Sequence, residues 1–237
     1  MTWSAADLAI VLLSLEVAGA GTLITLPPAI AIALLLARGR FWGRGILNAV
    51  VHLPLVMPPV VTGYVLLRLF GRRGPVGAFL EDAFGIVLAF RWTGAALAAG
   101  VMGFPLMVRA IRLAIEQVDT RLEEAAASLG ASPAWTLATV TLPLALPGVL
   151  SGLILAFAKA LGEFGATVTF VSNIPGETRT LALAIYTFTQ TPDGDAHFPA
   201  VNMEEWKESG VINVPTSPND SAAFRIKVYR RAPNARR

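Results

Sequence analysis

The chain has 237 residues, 54% of them apolar and 15% charged, with a formal net charge of +3. A charged share well below the ~25% of soluble domains, with a mean hydropathy of +0.61, places it among polytopic membrane proteins and excludes a soluble globular enzyme. Cysteine is absent and His52 and His197 lack a zinc-ligand spacing, so no metal or cofactor is expected. The arginines gather at the ends of apolar blocks, which suits contact with membrane lipid and not with nucleic acid. No Gly-rich phosphate loop and no Gly-x-Ser-x-Gly elbow occurs, so no catalytic residue is assigned and the chain is read as a non-enzyme.

Taken in order, Met1–Ser4 lacks the basic stretch of a secretory signal, and the apolar block after it is too long for one. Leu8 to Leu36 is therefore expected to be a retained first span, kinked at Pro27-Pro28. Arg38, Arg40 and Arg44 form a basic loop assigned to the cytoplasm, which puts the N-terminus outside. Ile46 to Phe70 is the second span; Pro54, Pro58 and Pro59 free backbone carbonyls, so it is expected to face protein or a pathway. Glu16 and His52 are single polar residues near spans and read as packing or interface residues. Arg68, Arg72 and Arg73 follow in a Gly-rich external loop, against the orientation rule, although Glu81 and Asp82 share it. Glu81–Phe90 is expected to be a short interfacial segment. Thr93 to Ile115 is the third span, interrupted by Pro105, with Arg109 and Arg112 near its cytoplasmic end.

The fourth span is centred on Pro147 to Phe170. Gly148, Ser151 and Gly152 give it a small-residue face on which another helix can pack closely. Lys159 and Glu163 lie four apart and are expected to pair on one helix face. Charges inside a span are functional candidates by default; a self-neutralising packing pair is the equal alternative.

Between the third and fourth spans lies the loop 119–143. Asp119 offers a cap, Leu122 to Leu129 is rich in helix formers, and Gly130 is placed to end that helix in a left-handed turn. Ser132 then caps a second short helix with Pro133 in its first turn. The product is a compact helix–Gly–helix unit, read either as an amphipathic connector lying on the lipid surface or as a docking knob in which Ala125 and Ala126 are small enough to enter a groove and Glu124 supplies an exposed charge.

Glu124-Ala125-Ala126, then Gly130, then Val140-Thr141-Leu142-Pro143, resembles the cytoplasmic loop of bacterial ABC-importer permeases. Three further stretches sharpen the likeness: 52–61, Gly103-Phe104-Pro105-Leu106-Met107-Val108-Arg109, and Leu161-Gly162-Glu163-Phe164-Gly165-Ala166-Thr167 with 173–180. Together they resemble the molybdate/tungstate permease family, with the sulfate permeases as close relatives. The resemblance implies an all-α, polytopic helical bundle in the bacterial inner membrane, working as a homodimer with a second permease copy. It also implies two cytoplasmic ATPase subunits and a periplasmic molybdate-binding protein. Docking would fall to Glu123, Glu124, Ala125, Ala126, Gly130, Leu142 and Pro143. Pathway or gate candidates are Lys159, Glu163, Phe164, Gly165, Thr167, Thr169, Ser172 and Asn173. A secondary transporter or a non-transporting membrane scaffold would share the apolar spans.

Residues 1–192 are read as the permease domain and 193–237 as an atypical polar tail, exposed or disordered, where the family has a last membrane helix.

Overall fold

The computed structural model describes residues 4–190, 206–213 and 225–231. The chain divides into two compact units, Met1–Thr187 and Phe188–Arg237. Within the described part of the first unit every element is helical. Three of its helices are long and apolar enough to cross a membrane, or up to four spans if one bent pair counts as a single crossing.

Helix α1, Ala5–Arg38, opens with a capping box in which Ser4 and Asp7 satisfy each other's backbone N–H groups. It runs through Pro27 and Pro28 without interruption, because Ala18 and Gly21 before the prolines and Ala29 and Ala33 after them are all buried. Helices α2, Arg44–Val56, and α3, Pro59–Phe70, correct the expected second span. They meet at 114°. Each residue preceding a proline is pushed out of the helical region, and Met57 and Pro58 are accordingly extended, with ψ of 143° and 134°. Of the stretch Glu81–Phe90 only the first residues are helical: they end helix α4, Pro75–Phe84, which starts earlier because Pro75 sets its first turn.

Helix α5, Trp92–Gln117, is the central post. Two thirds of its span is buried, against 28% for α1. Its small residues permit this: Gly21 of α1 packs on the Ala96 backbone, and a Cβ at Gly103 would lie 3.0 Å from the Ala156 carbonyl. Helix α6, Thr120–Ser128, and helix α7, Pro133–Thr136, form the expected pair, with Asp119 and Ser132 as side-chain caps and Gly130 at φ 88°. A π-turn, Leu137–Thr141, leads into α8, Leu142–Leu161.

The continuous fourth span is also corrected. α8 stops at Leu161 and a separate helix α9, Gly165–Val171, follows. Glu163 falls in the break, and its Oε1 accepts the Ala166 N–H at 3.0 Å, so a buried carboxylate caps α9 instead of continuing α8. Helix α10, Leu181–Gln190, begins where the Leu181 N–H donates to Ser14 Oγ, 2.7 Å away.

These contacts fix direction. Gly21 lies beside Ala96 and Arg38 beside Val118, so α1 and α5 run parallel. Gly148 lies beside Ala114 and Gly103 beside Ala156, so α8 runs antiparallel to both. The α2/α3 pair returns the chain between α1 and α5: Arg44 reaches Glu116 near one end of α5, while Leu66 packs with Ala95 near the other. One apolar core joins α1, α3, α5 and α9 at the Ser14 end; another joins α1, α2, α5 and α8 at the Arg38 end.

The second unit carries two antiparallel strands, β1, Trp206–Asn213, and β2, Arg225–Arg231, with Trp206 opposite Arg231 and a bulge between Glu208 and Gly210. The expected disordered tail is corrected over these residues. Composition concealed the alternation of Ile226 and Val228 with Lys227 and Tyr229, a strand period. The rest of the expected polar tail, 193–205, 214–224 and 232–237, lies outside the described residues.

Gly19 and Gly21 test the packing of α1. A Cβ on Gly19 meets nothing within 4 Å, whereas one on Gly21 collides with the Ala96 carbonyl. Gly21→Ala is expected to destabilise the purified protein by about 1–3 kcal/mol, read as a lower thermal midpoint in detergent, while Gly19→Ala leaves that midpoint unchanged or raised.

Candidate functional site

Docking-loop residues converge on one carboxylate. Glu123, half-buried in the first turn of α6, accepts from Arg38 Nη2 at 3.1 Å and from Thr141 Oγ1 at 2.8 Å through a single oxygen. Arg38 ends α1 and Thr141 closes the π-turn before α8. The same Arg38 nitrogen donates to the Val118 carbonyl just past α5, at 2.9 Å. One side-chain cluster therefore ties the short helix α6 to the ends of three long helices. A charge-assisted bond of this kind contributes about 1.5–3 kcal/mol, more than an exposed ion pair would.

Glu124 makes no ion pair among the described residues and is exposed, as is Ala125; Ala126 is half-buried. Leu142 is half-buried at the start of α8 and Pro143 is exposed beside it. Beyond them the knob presents apolar side chains that the chain itself leaves uncovered: Leu129 is 90% exposed and Trp135 is 64% exposed. They flank Gly130 and Ser132 around an open cavity of about 610 Å³. A second groove of about 670 Å³ lies between α6, α7 and the end of α1, with Glu124 and Thr136 in its walls. Thr136 Oγ1 and Arg38 Nε are buried there without a partner among the described residues.

At the other site the ion pair is present: Lys159 Nζ stands 2.8 Å from Glu163 Oε2. Its geometry differs from the expectation of one helix face, since Glu163 lies beyond the end of α8 and is buried while Lys159 keeps about a third of its side chain exposed. Gly165 is buried against the bend of the other broken pair; a Cβ there would lie 2.8 Å from Pro59 Cβ. The Phe164 ring packs on Tyr186 with centroids 4.8 Å apart.

The hydroxyl and amide candidates do not form one constellation. Thr167 is buried, and Thr169 Oγ1 donates to the Gly165 carbonyl at 2.8 Å within its own helix. Asn173 donates to Thr187 Oγ1 at 2.6 Å and accepts from Arg179 Nε at 3.0 Å, forming a latch between the stretch after α9 and α10. Ser172 is exposed and ends α9 at φ 66°.

Sequence reading missed Arg38 and Thr141 as partners of Glu123, because the three are separated by long stretches of chain. The only signal was a basic residue closing the first span. It also missed the polar seam between α2 and α5, where Arg112 donates to Glu116 Oε1 at 2.8 Å and to Asn48 Oδ1 at 3.1 Å.

Residues 29–198 match the family described as "Binding-protein-dependent transport system inner membrane component". The chain is 60% identical over 186 residues to the molybdenum transport system permease protein ModB of Escherichia coli (strain K12), covering 78% of this chain and 81% of that one. The protein of the same description from Haemophilus influenzae is 56% identical over 183 residues, with 77% and 80% covered. Among solved structures, a bacterial ABC transporter involved in the import of the acidic polysaccharide alginate has a TM-score of 0.60 at 17% identity, over 79% of this chain and 69% of that one. At that identity the likeness is one of fold.

The two adjacent glutamates are expected to separate in a stability measurement. Glu123→Ala should lower the unfolding free energy by about 2–3 kcal/mol through loss of two charge-assisted bonds, seen as a fall in thermal midpoint. Glu124→Ala, which removes an exposed side chain, should stay within about 0.5 kcal/mol of the parent.

Proposed function

The chain belongs to the family of binding-protein-dependent transport system inner membrane components, and on that premise we propose that it is the permease subunit of an ATP-driven molybdate importer. Two copies would enclose the path, two separate ATPase subunits would dock on the loops 119–143 from the cytoplasm, and a periplasmic binding protein would deliver the anion. Tungstate has the same charge and shape and fits the same reading. Residues 1–192 act as the permease domain and 193–237 as an appended tail.

The observation that carries this reading is the Glu123 cluster behind an uncovered apolar knob. A partner seated on Leu129 and Trp135 pushes on α6, and α6 cannot move without pulling Arg38 of α1 and Thr141 at the root of α8. At the far end of α8, Lys159 and Glu163 hand the movement to α9, and Gly165 hands it to the bend between α2 and α3. Alternation between two packings of these joints, driven by ATP in the partner, exposes the path first to one side and then to the other.

Reconstitution of the permease with its ATPase and binding protein in proteoliposomes tests the reading. Trp135→Ala and Glu124→Lys are each expected to lower molybdate uptake at least about tenfold while the permease stays in the membrane. Undiminished uptake in both variants, or uptake that needs no ATPase subunit, would overturn it in favour of a secondary transporter or a scaffold.

A further inference from the structure

The inner half of α5 carries a cation that the fold does not neutralise. Arg109 is exposed and makes no hydrogen bond or ion pair among the described residues. It lies eight residues from the end of α5 at Gln117, roughly 12 Å along the axis. Helical spacing puts it on one stripe with Arg112 and Glu116. Those two are engaged with α2: Arg112 with Glu116 and Asn48, and Glu116 again with Arg44 at 3.9 Å. The antiparallel ladder that pairs 44 with 116 and 48 with 112 brings His52, the next turn of α2, to the level of Arg109. His52 holds its Nδ1 on the Asn48 carbonyl at 2.8 Å, which leaves Nε2 uncommitted among the described residues.

Three arginines and one glutamate make a net charge of +2 on this face. The same face of α5 is closed toward the Ser14 end, where Met102 and Pro105 are buried, and opens at Arg109, Leu113, Glu116 and Gln117. Anion pores are lined by Arg and Lys, which must hold the ion and still release it. A lone guanidinium backed by a second, tethered one meets that requirement: it offers a fork of donors to a tetrahedral oxyanion without enclosing it.

We propose that Arg109, supported by Arg112 and His52, is a station for a tetrahedral oxyanion dianion in the inner half of the transport path, on the exit side of Lys159. The proposal rests on the importer reading above and adds to it a residue and a place. The phosphate of an inner-leaflet lipid headgroup shares the chemistry, and the test separates the two sources.

Uptake per ATP hydrolysed is measured for the full importer in proteoliposomes of pure phosphatidylcholine and in liposomes containing anionic phosphatidylglycerol. Arg109→Gln is expected to lower molybdate uptake per ATP at least about tenfold in both lipids. Binding-protein-stimulated ATP turnover should stay within about twofold of the parent, because the docking loop is untouched. Arg109→Lys keeps the charge and loses the fork, and is expected to recover part of the loss; it also shows that the Gln variant does not fail by misfolding. Unchanged uptake per ATP in Arg109→Gln overturns the station. A loss confined to the phosphatidylglycerol liposomes overturns it in favour of a lipid phosphate. Parent complex that hydrolyses ATP without moving molybdate sinks the importer reading itself, a result visible before any variant is compared.

Discussion

One carboxylate oxygen of Glu123 holds the docking-loop helix to the ends of the long helices. The short helix α6 buries none of its residues and would be marginal alone. What fixes its position is the pair of bonds from Arg38 and Thr141, and these come from the ends of the two helices that flank the central post. Arg38 is further held by the Val118 carbonyl, so the guanidinium serves α1, α5 and α6 at once. Removing the carboxylate leaves a part-buried cation uncompensated, which costs more than the pair contributes.

The far end of the bundle repeats the logic with different chemistry. Both interrupted helices meet there: the start of α9 packs on the start of α3, with Gly165 against Pro59 and Gly63 against the Ala166 backbone, 2.5 Å from a Cβ placed on the glycine. Breaks in membrane helices leave backbone groups that must be satisfied by protein. Glu163 does this for α9 while its other oxygen neutralises Lys159. The joint is close-packed and polar at one point. A central post, a tethered short helix and a broken far end are the parts from which the proposed importer would link loop movement to far-end rearrangement.

Local signals in the sequence were read well and tertiary ones poorly. Asp119, Gly130, Ser132 and Pro133 each announce their backbone conformation through their own chemistry, and each sits where that chemistry demands. Apolar run length located the spans but hid their breaks. Pro58-Pro59 broke the second apolar block into two helices, whereas Pro27-Pro28 left α1 whole because α5 packs on both sides of it. Leu161 to Phe170 read as uninterrupted helix because the cause of the break, a buried carboxylate taking a backbone N–H, is a three-dimensional event. For the same reason Glu124 drew attention as the charged residue of the motif while Glu123, whose partners are 85 and 18 residues away, carried the architecture. The strands were missed because a polar composition concealed the two-residue alternation of β2 and because β1 carries none.

The central claim is that α6 moves as one body with the end of α1. The absence of cysteine allows spin labels to be placed cleanly on Ser128→Cys and Arg40→Cys, and their separation to be measured by electron paramagnetic resonance in the assembled transporter with and without trapped ATP. The account predicts one narrow distance, unchanged between the two states, that broadens when Glu123→Ala is added. A distance in the parent that shifts with nucleotide, or one indifferent to Glu123→Ala, would contradict it.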